Sequence, residues 1–278
     1  MNTLVYATDY SKNSVPALKY AYSLSQLTNK KLIVLNILEY PTIWNSDVPK
    51  PEFEDYEKGA ENAYKNLLQE FCEKQIGGHL ENAIYQVKKG DDVENAILDF
   101  SKEHQPDALI LGVHGMNPVQ EFFMGSTTQS IISSSIVPVI AVPENVQSST
   151  LKTMAFATAL KKEDVITIKK IASLFETVKP ILKVVHIAHK KSDEKLAEIA
   201  EFKELLNDEV SGLVNSFDII YNEDRLEGLI GFVTIQKADM IIMKERKSQN
   251  NKLKERFQKD LVKRMEAKTK IPLLSFKS

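Results

Sequence analysis

Four strand-like runs in the first half of this 278-residue chain return in the second half, in the same order. Leu4-Val-Tyr-Ala-Thr8 is echoed by Met154-Ala-Phe-Ala-Thr158, and Leu32-Ile-Val-Leu-Asn-Ile37 by Leu182-Lys-Val-Val-His-Ile187. Asp107-Ala-Leu-Ile-Leu111 reappears as Ala238-Asp-Met-Ile-Ile-Met243, and Val137-Pro-Val-Ile-Ala-Val142 as Ile271-Pro-Leu-Leu-Ser-Phe276. Repetition in one order marks a duplicated unit, so any fold assigned to the first copy must also suit the second. The length suits two domains. The polar, patternless stretch from Glu144 to Thr150 reads as the linker, which places the domains at 1–145 and 151–278.

Between the strand-like runs lie helical stripes. Val15, Leu18 and Tyr22, with Ala17, Ala21 and Leu24, make one such face, and Pro16 fits only its first turn. Residues 39–53, with Pro41, Pro49, Pro51 and Trp44, read as a surface loop, and helical spacing resumes over 55–75. Residues 82–88 alternate as a half-exposed strand. Gly90-Asp91-Asp92 then turns the chain into a helix carrying Val93, Ala96, Ile97 and Phe100. Ala108 to Leu111 is a buried strand ending at Gly112, a helix follows over 127–135, and Pro138 marks an edge strand. Strands alternating with helices require crossover connections, so each half is an α/β unit with a parallel sheet.

One loop carries the chemistry. After the strand that ends at Leu111 come Gly112, Gly115 and, nine residues later, Gly125 and Ser126 at the start of a helix. Glycines let backbone approach a ligand closely, and a helix start aims unpaired N–H groups and a positive dipole end at an anion. The spacing is neither that of a dinucleotide fingerprint nor that of a P-loop. The pattern Gly-x2-Gly-x9-Gly-Ser resembles the nucleotide-binding motif of the universal stress protein family, and the tandem resembles its double-domain members. That resemblance implies two tandem Rossmann-like (adenine nucleotide alpha hydrolase-like) domains, each an open five-stranded parallel sheet with helices on both faces. It also implies ATP or another adenine nucleotide, accompanied by Mg²⁺. By position it assigns Ala7, Thr8 and Asp9 to the adenosine part, the Ile37 backbone to adenine, Leu111, Gly112 and Gly115 to the ribose and phosphates, and Gly125, Ser126 and Thr127 to phosphate. Met116 departs from it, standing where many members carry a basic residue.

Each assignment has a structural alternative. The glycines could serve turn geometry alone, Asp9 could be a helix-entry carboxylate or Asx-turn, and Ser126 is an acceptable N-cap in any case. His114 reads as solvent-facing, and His79, His104, His186 and His189 lack metal-ligand spacing. The second half keeps the strands and loses the motif. Ala159 replaces Asp9, and no glycine follows Gly231, so the site is expected in the first half only.

Bulk properties exclude rather than assign. A net charge of −2 gives no global field for nucleic acid or membrane, and a single Cys72 rules out an internal disulfide. The chain opens directly on strand-like sequence, with no secretory leader pattern, which is read as cytoplasmic. Residues 244–270 hold 11 Lys/Arg against 4 Asp/Glu, but Leu253, Phe257, Leu261 and Met265 make an apolar stripe through them, so this run reads as an amphipathic helix with a solvated face.

The sequence therefore supports a nucleotide-binding regulatory or stress-response protein, at most a slow ATPase, since no catalytic set is visible. Two alternatives stay open: a ligand-free structural or interaction protein whose tandem domains form a pseudo-dimer, and an adenylating or nucleotide-hydrolysing enzyme. The last strands, around Val139 and Leu273, are candidates for edge pairing, within one chain or between two in a homodimer.

Overall fold

A computed structural model of the chain describes residues 2–12, 14–38, 50–113, 126–146, 150–245 and 270–277. The first half contributes β1 (Thr3–Ala7), α1 (Ser14–Thr28), β2 (Lys31–Leu38), α2 (Lys50–Ile76), β3 (Ala83–Lys89), α3 (Val93–His104), β4 (Ala108–Val113), α4 (Ser126–Ser134) and β5 (Val139–Pro143). The second contributes β6 (Thr153–Ala157), α5 (Lys162–Leu174), β7 (Ile181–Ala188), α6 (Asp193–Val210), β8 (Ser216–Tyr221), α7 (Arg225–Ile235), β9 (Met240–Glu245) and β10 (Leu273–Lys277).

All ten strands lie in one sheet, ordered β3-β2-β1-β4-β5-β10-β9-β6-β7-β8. Each half is parallel throughout, and the repeat is exact at the level of register. Leu4 stands opposite Leu32 and Ala108, and Met154 stands opposite Leu182 and Met240. The halves join where β5 and β10 pair antiparallel, Leu273 with Ala141 and Ser275 with Val139. That antiparallel seam points the carboxyl ends of the two sets of strands toward opposite edges of the sheet.

Burial follows position. β1 and β5 are covered on both faces and read as unbroken apolar runs, whereas the edge strands β3 and β8 are mostly half-exposed or exposed. One core packs α1, α2, α5 and α6 on one face of the sheet, and a second packs α3, α4 and α7 on the other. Both cores run through residues of both halves.

Several local expectations need correcting. Gly112 does not end β4; it pairs with Val142 inside the strand, which continues to Val113. Pro138 does not mark an edge. It precedes β5, where its missing N–H costs no ladder bond, and its carbonyl accepts from Leu109 N–H at 2.8 Å. Pro272 does the same for Ile241 at 3.0 Å, so the proline is a strand-entry device used twice. Helix α2 begins at Lys50 rather than Asp55, with Pro51 in its first turn, so residues 50–53 are helical rather than loop. Trp44, the stripe from Leu253 to Met265 and most of the glycine loop lie outside the described residues.

Candidate functional site

In the first half, β1 leads leftward to β2 while β4 leads rightward to β5, which makes the gap between β1 and β4 the topological switch point of that half. Crevices for ligands form there, outside the carboxyl ends of the strands. A cavity of about 640 Å³ opens at that place, lined by Ala7, Thr8 and Asp9 after β1, Ile37 on β2, Leu111 and Gly112 on β4, and Thr127 on α4. Every proposed site residue whose side chain the structure describes therefore lines one cavity. Ser126 opens α4 beside it; Gly115 and Gly125 lie outside the described residues.

The turn after β1 is tightly determined. Thr8 N–H donates to Leu35 O at 2.9 Å, prolonging the β1–β2 pairing, and Asn36 Nδ2 donates to Thr8 O at 2.8 Å. Thr8 Oγ1 donates to Ser14 Oγ and accepts from Tyr10 N–H, both at 3.1 Å. Tyr10 takes a left-handed φ of 61°, which turns the chain sharply toward α1. Tyr6 OH closes the set on Ser14 O at 2.7 Å, and burial raises its pKa well above the usual range. Exposed Asp9 completes an Asx-turn, Oδ1 accepting from Ser11 N–H at 2.9 Å, while it also faces the cavity. The structural and ligand-facing readings of Asp9 are thus compatible.

Sequence reasoning missed half of the wall. Asp91, Asp92, Val93, Glu94 and Ile97, from the β3–α3 turn and the start of α3, also line the cavity. The signal was present as Gly90-Asp91-Asp92, legible as a turn but not as a neighbour of Asp9. Asp92 caps α3 by accepting from Asn95 N–H at 2.9 Å, and Glu94 accepts from Ser130 Oγ of α4. Three helix starts converge: Ser14 of α1, Val93 of α3 and Thr127 of α4. Only α3 has an acidic residue in its first turn; α1 and α4 leave their positive ends uncompensated by their own side chains.

The corresponding place in the second half is built differently. Asp164, fully buried, stands where Ser14 stands in the first. It accepts from Thr158 Oγ1 at 2.7 Å, Ala159 N–H at 3.0 Å and Lys161 N–H at 3.4 Å. A carboxylate of the protein thus occupies the amides that follow the first strand. Lys244, at the position equivalent to Gly112, reaches over to Glu163 O at 3.4 Å. His186 replaces Asn36, its Nδ1 donating to Thr158 O at 2.9 Å, and burial lowers its pKa.

Among the described residues no helix is long and apolar enough to cross a membrane, and no three His, Cys, Asp or Glu side chains gather as a metal site. Cys72 is buried, which pushes its thiol up to about 12 and leaves it unreactive.

Comparison with known proteins agrees with this geometry. A universal stress protein of Methanocaldococcus jannaschii is 26% identical over 154 residues, spanning 50% of this chain and 93% of its own length. A universal stress protein structure from Archaeoglobus fulgidus superposes with a TM-score of 0.68 at 17% identity, covering 99% of this chain and 98% of that one. A putative universal stress protein from Pseudomonas aeruginosa gives 0.59 at 10% identity, covering 100% and 93%. At such identities these two structures speak for the fold, including its doubled arrangement. The universal stress protein family model matches residues 1–143, slightly more than half of the chain, and the chain therefore belongs to the universal stress protein family.

Proposed function

We propose that the first half binds an adenine nucleotide, ATP or a close relative, in a regulatory or stress-response role, and that the second half carries no such site. The division falls between 1–145 and 151–278. The observation that carries the reading is convergence: residues assigned one by one from a motif resemblance (Ala7, Thr8, Asp9, Ile37, Leu111, Gly112 and Thr127) line a single cavity at a switch point. In this reading the Ile37 backbone holds the adenine, Ala7, Thr8 and Asp9 meet the adenosine part, Leu111 and Gly112 lie beside the ribose and phosphates, and the start of α4 holds phosphate through backbone N–H groups. Gly115, Gly125 and Ser126 complete the phosphate end. Mg²⁺ would enter with the phosphates, whose oxygens are its usual partners. No general base is assigned, so turnover should be slow at best.

The test uses the full chain. Protein purified from cells is denatured and the supernatant is assayed for adenine nucleotide, and the refolded or apo protein is melted with and without Mg-ATP. Ligand at about 100 times its Kd should stabilise the fold by about 2.7 kcal/mol, and Gly125→Val should abolish that shift. No nucleotide in the supernatant and no shift with any adenine ligand would overturn the reading. A stoichiometry of two per chain would overturn its restriction to the first half.

A further inference from the structure

We propose that the crevice sorts adenine ligands by charge: adenosine, a monophosphate or a cyclic monophosphate binds more tightly than ATP unless a divalent cation accompanies the triphosphate. This rests on the adenine-nucleotide reading and adds the class of ligand. Among the described residues Asp9, Asp91, Asp92 and Glu94 line the cavity, and no Lys or Arg does. The part of the loop outside the described residues cannot supply one, because the sequence has no Lys or Arg between Lys102 and Lys152. The same holds for the stretch from Leu32 to Pro49.

The hydrogen bonds of these carboxylates come from neutral donors. Asp92 accepts from Asn95 N–H, Glu94 from Ser130 Oγ and Asp9 from Ser11 N–H, so the negative charge is oriented but not cancelled. Against it stand the helix starts. Each is worth roughly half a positive charge, and that of α3 already faces its own Asp92 and Glu94. The α1 and α4 ends together offer about one positive charge to a ligand. A single phosphate, at about −1.5 to −2, already exceeds that by about half to one charge. A triphosphate brings further negative charge into a cleft that already has four carboxylates and low-dielectric walls, where repulsion is poorly screened. The carboxylates instead suit ribose hydroxyls, which donate hydrogen bonds to them. Asp9, Asp91, Asp92 and Glu94 are then the specificity-determining residues.

Isothermal titration of the full chain with adenosine, AMP and ATP, first in EDTA and then in Mg²⁺, tests this. In EDTA, ATP should bind on the order of tenfold more weakly than AMP, with added salt narrowing the gap by screening. Mg²⁺ should narrow it as well. The double variant Asp91→Asn with Asp92→Asn keeps the α3 cap, because Asn caps as well as Asp. It should narrow the metal-free ratio of ATP to adenosine affinity by roughly tenfold. Metal-free ATP binding as tightly as AMP, or a double variant that leaves the ratio unchanged, would overturn charge selection while leaving the nucleotide reading intact. Absence of binding by all three ligands would remove both.

Discussion

The two halves share a backbone plan down to strand register, yet they spend the same turn on opposite ends. After β1 the chain leaves Thr8 and Ser14 bonded to each other, the Tyr10 and Ser11 amides bonded to Thr8 Oγ1 and Asp9 Oδ1, and Asp9 itself on the wall of an open cavity. After β6 the buried carboxylate of Asp164 collects the Thr158 hydroxyl and the Ala159 and Lys161 amides for itself. The cavity-lining turn and the self-satisfied turn thus differ chiefly in where the carboxylate stands, at Asp9 in one and at Asp164 in the other. In the second half that internal carboxylate satisfies the turn from within.

The largest expected effect comes from breaking that contrast. Asp164→Ala leaves one buried and two partly buried donors without their acceptor and should cost about 3 kcal/mol in urea unfolding. Ser14→Ala at the equivalent position loses neutral hydroxyl bonds and should cost about 1 kcal/mol. Equal costs would mean that the two turns are not built as described.

A second effect concerns an exchange of small residues. In the first half Gly90 precedes α3 and meets Ala96; a Cβ on Gly90 would lie 2.7 Å from Ala96 Cβ and 3.2 Å from Ile37 Cγ2. In the second half the partners are reversed: Gly228 sits on the helix, and its Cβ would lie 3.0 Å from Asn222 Cβ and 2.9 Å from Ile187 Cγ2. Gly90→Ala should therefore destabilise by about 2 kcal/mol. Adding Ala96→Gly, which copies the second half, should recover a large part of the loss, and a double-mutant cycle with coupling under about 0.5 kcal/mol would contradict the exchange.

The smallest effect is a pH dependence confined to the second half. Burial holds His186 neutral in the fold, below the ordinary value of 6.5, while its bond to Thr158 O partly opposes this. The unfolded chain therefore binds the proton more readily once the pH falls below about 6.5, so stability is intact above that value and declines beneath it. Unfolding midpoints measured between pH 7 and pH 5 should fall, and His186→Asn, which copies Asn36, should flatten that part of the profile.

Much of the fold was readable along the chain because parallel strands buried on both faces are short apolar runs, and β1, β2, β4, β6, β7 and β9 are of that kind. Boundaries were less readable where one residue type serves two purposes. Gly112 looks like a strand end but lies inside β4, and Pro138 looks like an edge marker but serves strand entry. The site was half readable: Asp9 and Thr127 came from a motif, whereas Asp91, Asp92 and Glu94 belong to no recognisable spacing with them.

Taken alone, the sequence determined that a β-α unit occurs twice and that the second copy lacks the glycines after its fourth strand, because periodicity and residue type are local properties. Only the tertiary structure decided that β5 and β10 close the two sheets into one, and that carboxylates some 80 residues from Asp9 share its cavity. Both depend on which strand edges and loop ends the folded chain brings together, and spacing along the sequence does not encode that.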